Sequence, residues 1–288
     1  MKNFFKELWW LIRFVWYSIT MKESAKEPVT DAGENELGNP EPETIGEPVY
    51  EITEATEQEY EKINKDDNDM EQKENRNVVV CLDNGHGEDT PGKCSPWSAC
   101  KVPPELPFRE YEYCRDIVSR LAKVLHEEGY PVYVVVPETT DISLAERGRR
   151  INNIVVEAKK EGKHAISISV HNNAAGNGME WKKAYGWSVW TTRGQNNSDI
   201  LAQCLFDAAK EVLGPLGQKT RHDTSDGDDD YENNFAMCRI PNCPAVLTEN
   251  MFQDCVDEVR FLLTEEGRNA ITEIHRRGIN AFIRMMGW

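Results

Sequence analysis

Two histidines and two glutamates are the residues of this chain whose types and order suit chemistry. His86 stands in Asp83-Asn84-Gly85-His86-Gly87, directly after one apolar run, and His171 stands in Ser169-Val170-His171-Asn172-Asn173, directly after another. Glu110 opens a helical pattern, and Glu249 directly follows the last apolar run. A catalytic zinc site asks for three nitrogen or oxygen ligands, one open position, and an unligated carboxylate within reach as general base. These four residues meet that inventory. Their separations, 24 residues from His86 to Glu110 and 61 from Glu110 to His171, are too wide for a local motif such as H-E-x-x-H. Only the fold can bring them together.

The elements that must do so are legible from periodicity. VVVCLD from Val78 is a β-branched run closed by Asn84-Gly85, and it reads as a buried strand. After a Pro-rich loop, Arg109–Glu128 carries Ile117, Leu121, Val124 and Leu125 at helical spacing and closes on Gly129. Strands are expected at Pro131–Pro137, Ala165–Val170, Gly186–Thr192 and Ala245–Thr248. Helices are expected from a Ser143 cap to about Lys160, over Ser198–Leu213, and over Glu265–Met286. Such alternation implies right-handed crossovers and an α/β fold: one domain with a mostly parallel, twisted sheet flanked by helices on both faces. Chemistry in such sheets sits beyond the carboxyl ends of the strands, which is where both histidines and Glu249 fall.

Composition divides the chain. The net charge is -17, from 33 Lys+Arg against 50 Asp+Glu, which argues against binding nucleic acid phosphates. Residues 21–77 hold 18 acidic and 6 basic side chains among Glu, Pro, Gly and Thr, so they read as a disordered acidic linker that cannot bury enough to fold. Residues 1–20 carry Lys2, Lys6 and Arg13 on one stripe of an otherwise aromatic and aliphatic helix, an amphipathic pattern suited to a membrane surface. Residues 78–288 remain for one sizeable core. No run approaches the ~20 apolar residues of a spanning helix.

Within residues 78–288 the segments VVVCLDNGHG, TPGKCSP, REYEYCRDIV, DISLAERGRRIN, ISISVHNNAAGNGMEW, GWSVWTT and PAVLTENMF together resemble the zinc-dependent N-acetylmuramoyl-L-alanine amidases of the Amidase_3 type, cell-wall hydrolases of bacteria and their phages. The resemblance implies hydrolysis of the amide between N-acetylmuramic acid and L-alanine in peptidoglycan. It implies one Zn²⁺ held by His86, Glu110 and His171, with Glu249 as the catalytic base that activates water. Glu110 is preferred over Glu112 because the count back from Gly129 reaches it and the two lie on different helix faces. Peptidoglycan is then the partner, a monomer the expected state, and the periplasm or envelope the place of action, with residues 1–20 as tether.

The other motifs are read without chemistry. Asp141 and Arg147 cap and pin a helix. Asn172 either holds a ligand or stabilises a turn. Trp97, Trp181, Trp187 and Trp190 suit either a sugar-binding groove or the core. The acidic run Asp226–Glu232 lacks the spacing of a calcium loop and reads as solvated. Of the 8 cysteines, Cys81 and Cys114 read as small buried hydrophobes, while Cys94–Cys100 and Cys238–Cys243 are spaced for loop disulfides in an exported domain. His126, His164, His222 and His275 are given no role.

Overall fold

The computed structural model describes residues 76–96, 108–225 and 227–288. The expected N-terminal helix, nearly all of the acidic linker, Trp97 and Cys100 lie outside the described residues. Among the described residues no helix is long and apolar enough to cross a membrane.

Six strands form one sheet: β1 (Val78–Asn84), β2 (Val132–Val134), β3 (His164–Asn173), β4 (Ser188–Thr191), β5 (Tyr231–Glu232) and β6 (Ala245–Phe252). Their spatial order is β2-β1-β3-β6-β4-β5. The first four of that order run parallel, β4 pairs antiparallel with β6, and β5 pairs parallel with β4. The helices are α1 (Glu110–Glu127), α2 (Leu144–Lys160), α3 (Asn197–Leu213), α4 (Ala236–Arg239), α5 (Val256–Leu262) and α6 (Glu265–Met286).

Every residue of β1 is buried, because the sheet is covered on both faces. Val78, Val80 and Leu82 join the larger core with Ile117, Leu121 and Leu125 of α1, Leu201 and Leu205 of α3, and Ile271, Ile274 and Phe282 of α6. The intervening Val79 and Cys81 join Ile151, Val155 and Ala158 of α2. The period of two in β1 thus assigns one layer of helices to each face. Ser143 caps α2 by accepting a hydrogen bond from Glu146 N at 3.3 Å, as expected from its position.

The expected elements are present, with corrections. β2 is three residues rather than seven, and β3 continues through the polar residues His171–Asn173 because it still pairs with β6 there. β4 is antiparallel, β5 is only two residues long, and α4 and α5 are short helices the periodicity does not announce. Cys238 and Cys243 are free thiols, while Cys81 and Cys114 are fully buried. Trp187 belongs to the core.

Candidate metal centre

The parallel order β1-β3-β6 puts three strand ends at one edge, and the residues of interest stand there. Register places His171 opposite Glu249 and Asn84 opposite Val170. His86 follows β1 with φ 61°, an uncommon conformation for a residue with a side chain. Two guanidinium groups hold that backbone: Arg115 Nη1 donates to His86 O at 3.1 Å and Arg147 Nη2 at 3.3 Å. Gly85 is required for close approach, since a Cβ there would lie 2.5 Å from the His171 ring. Glu110 is brought in by the start of α1, where its backbone N donates to Lys93 O at 3.0 Å.

Glu110 is fully buried. Its Oε1 lies 3.1 Å from His171 Nδ1 and 3.3 Å from His86 Nε2, and it accepts from Asn172 N at 3.0 Å. The two imidazoles meet edge to face with centroids 4.9 Å apart. One ligand atom from each of His86, Glu110 and His171 lies within 4.8 Å of the others. Glu110 Oε2 is buried without a hydrogen-bond partner, with the Lys93 ammonium 3.9 Å away. Glu249 Oε2 is likewise buried and unpartnered. Two imidazole nitrogens and a carboxylate oxygen, converging beside an orphaned buried oxygen, are a donor set that fits Zn²⁺. Glu112 points elsewhere: it is exposed and accepts from Tyr111 Oη at 3.0 Å.

The electrostatics follow from burial and crowding. Burial opposes ionisation of Glu110, but hydrogen bonds with His171 and His86 outweigh it and hold the carboxyl well below its ordinary range. Burial lowers His86 against the pull of Glu110. Burial would lower His171 too, yet Glu110 and the further negative charge of Glu249 and Asp83 raise it. Glu249 is pushed up to about 7 by burial, with Glu110 adding repulsion.

A second layer fixes the ligands. Ser169 Oγ donates to Asp83 Oδ2 at 2.5 Å, which leaves its oxygen to accept from His171 Nε2 at 3.1 Å. Without a metal, His171 Nδ1 is the nitrogen that donates to Glu110; with a cation held at Nδ1, the Ser169 acceptor would keep the neutral ring's proton on Nε2. Asp83 is in turn paired with buried Arg147 at 2.8 Å. Arg147 and Asp141, read as helix-pinning residues, do pair at 2.8 Å, but Arg147 also reaches this chain. Asn172 is buried and donates through Nδ2 to Asn250 O. Asn250 itself donates to His171 O at 2.9 Å and accepts from Trp187 Nε1 at 2.7 Å. Ser169 and Asp83 are the positions sequence reading passed over. Their signal was there, since Ser169 shares the face of β3 with His171 two residues on.

Comparisons with known proteins give the family and the fold. The family model described as N-acetylmuramoyl-L-alanine amidase, Amidase_3, matches residues 80–281. The chain is 28% identical over 211 residues to an endolysin of Bacillus phage SPP1, an alignment covering 72% of this chain and 66% of that protein. The chain thus spans just under two thirds of that relative's length. An N-acetylmuramoyl-L-alanine amidase from Clostridium difficile 630 shares the fold with a TM-score of 0.58 at 24% identity, over 73% of this chain and 98% of that one. The catalytic domain of CwlV, an amidase from Bacillus (Paenibacillus) polymyxa var. colistinus, does so with a TM-score of 0.54 at 19% identity, over 72% and 98% respectively. With residues 80–281, more than half of the chain, matched by that family's model, the protein belongs to the N-acetylmuramoyl-L-alanine amidase family, Amidase_3.

Proposed function

We propose that this chain hydrolyses the amide joining the lactyl group of N-acetylmuramic acid to L-alanine in peptidoglycan. His86, Glu110 and His171 would hold one Zn²⁺ and Glu249 would be the general base and acid. The observation that carries the reading is the convergence of two imidazoles on a buried carboxylate, with the unpartnered Glu249 opposite His171. When bound, Zn²⁺ supplies Lewis-acid polarisation of a carbonyl and acidification of water.

The protein's own groups do the rest. Glu249, with a pKa raised to about 7, is poised to accept the proton of the attacking water and to return it to the departing L-Ala nitrogen. Without that second transfer an amine is a poor leaving group. Glu110 supplies the negative charge that neutralises part of the cation. With a cation bound, the chain Arg147–Asp83–Ser169 would keep His171 in the tautomer that presents Nδ1. Action on peptidoglycan places the enzyme at the cell wall, and residues 1–20 would be its tether at a membrane surface.

The test is to incubate the full chain with peptidoglycan, with Zn²⁺ or with a chelator, and to weigh the released fragments. Stem peptides beginning with L-alanine, released only with metal, support the amidase. Shortened stem peptides would identify a carboxypeptidase instead, and binding without release an inactive wall-binding domain.

A further inference from the structure

A second cluster of carboxylates stands at the other end of the sheet. β4 runs antiparallel to β6, so Thr191 at its end lies toward the edge where β6 begins, away from His171 and Glu249. Around Thr191 gather Asp199 from the first turn of α3 and Asp228 and Asp230 from the segment entering β5. Thr191 Oγ1 donates to Asp230 Oδ2 and lies 3.3 Å from Asp199 Oδ1. One oxygen from each of the three carboxylates lies within 4.8 Å of the others.

Acidic clusters on a surface are ordinary, but this one is sunk. Asp230 is 2% exposed and Asp199 6%, so the expectation that the whole acidic run is solvated is corrected at Asp230. Oδ1 of Asp230 and Oδ1 of Asp228 are both sealed from solvent and receive no N–H or hydroxyl hydrogen bond, while Asp228 Oδ2 accepts from Gln195 Nε2 at 2.9 Å. A buried carboxylate oxygen without a partner is costly unless a proton or a cation meets it. Basic side chains of this region are engaged elsewhere: His222 with Asp229 at 2.9 Å, Lys210 with Asp207 at 3.9 Å, and Arg221 over the rings of Tyr231 and Phe252. Burial, then a hydrogen bond with Asp228, pushes Asp230 up to about 8; the same contact lowers Asp228, and burial raises Asp199.

We propose that Asp199, Asp228 and Asp230, with Thr191 Oγ1, form a second cation site that takes a hard divalent ion of the Ca²⁺ class. The donors are all oxygen, with no imidazole or thiolate among them, which favours Ca²⁺ over zinc, and the partly exposed Asp228 leaves room for the waters that complete its coordination. The ion would tie the segment before β5 to the start of α3 and the end of β4, pinning the sheet edge. This inference is independent of the amidase reading, since none of its residues belongs to the first cluster.

The test uses the full chain preloaded with Zn²⁺, titrated with CaCl₂ by calorimetry and followed by thermal unfolding against an NaCl control of equal ionic strength. At the ~10⁻⁴–10⁻³ M affinity of extracellular calcium modules, ~10 mM Ca²⁺ is expected to raise Tm by roughly 3–10 °C with one ion bound per chain. Asp230→Asn should weaken Ca²⁺ binding at least about tenfold, while its metal-free Tm stays close to that of the wild type, because the amide replaces a carboxyl already largely protonated at neutral pH. Asp228→Asn, at a partly exposed position, gives the same readout should Asp230→Asn fail to fold. The proposal is overturned if CaCl₂ gives no heat and no shift beyond NaCl, or if the shift survives in both variants. It is equally overturned if the metal-free protein gains stability from pH 8 to 6 and ignores Ca²⁺, for then the carboxylates share a proton instead.

Discussion

His275 lies in the core of α6 with no exposure, and its neutrality makes a quantitative prediction about acid. Its Nδ1 lies 2.7 Å from Ile271 O, an acceptor, so that nitrogen carries the proton. Nε2 must then accept from Thr248 Oγ1 at 2.9 Å. Burial lowers its pKa to about 4 from the ordinary 6.5. Between those values the unfolded chain binds one proton more than the folded chain, so stability is full above pH 6.5 and is lost as pH falls toward 4. The difference corresponds to about 3 kcal/mol in all, with about 2 kcal/mol lost by pH 5. Urea unfolding of the metal-free protein at pH 7.5 and pH 5, for the wild type and for His275→Gln, isolates the effect. Metal-free samples remove the proton linkage of zinc. At pH 7.5 the variant should be less stable by roughly 1–3 kcal/mol for its disturbed buried hydrogen bonds, and at pH 5 that gap should shrink by about 2 kcal/mol or reverse. A gap that stays constant to within ~0.5 kcal/mol would refute the claim that a neutral imidazole is locked there.

Three further outcomes follow from the groups around the candidate metal centre. Ser169→Ala frees the His171 tautomer and should weaken Zn²⁺ affinity about 10–100-fold, read by competition with a chromogenic chelator, while far-UV circular dichroism is unchanged. Asn250→Ala unpartners Trp187 Nε1 and one donor to His171 O, and should cost roughly 1–3 kcal/mol in urea unfolding together with a loss of metal affinity. As the proposed base Glu249 would work as a carboxylate, so kcat/KM should fall on acidification through an apparent pKa at or below about 7, because a bound cation draws the value down from that of the metal-free site. A rate that rises on acidification would assign the base elsewhere.

Much of this was readable from residue patterns, and the gaps have physical reasons. Ile117, Leu121 and Leu125 announce α1, and VVVCLD announces β1, because a core imposes its period on long elements. The direction of β4 carries no such mark, since an antiparallel and a parallel strand bury alternate residues alike. β5 escapes notice because two residues, Tyr231 and Glu232, are too few to show a period. The strand ends mark His86 and His171 as candidates, but their meeting with Glu110 depends on the parallel register of β1 and β3. The burial of Asp230 is invisible in DGDDDYE for the same reason: its partners Thr191 and Asp199 arrive from elsewhere in the chain.

The most direct test of the central claim is to compare Glu249→Gln with the wild type for both bound zinc and released product. We predict that the variant binds one Zn²⁺ with wild-type affinity and releases stem peptides from peptidoglycan about 10²–10⁴-fold more slowly. Release within tenfold of the wild type, or undiminished release by chelated wild-type protein, would contradict it.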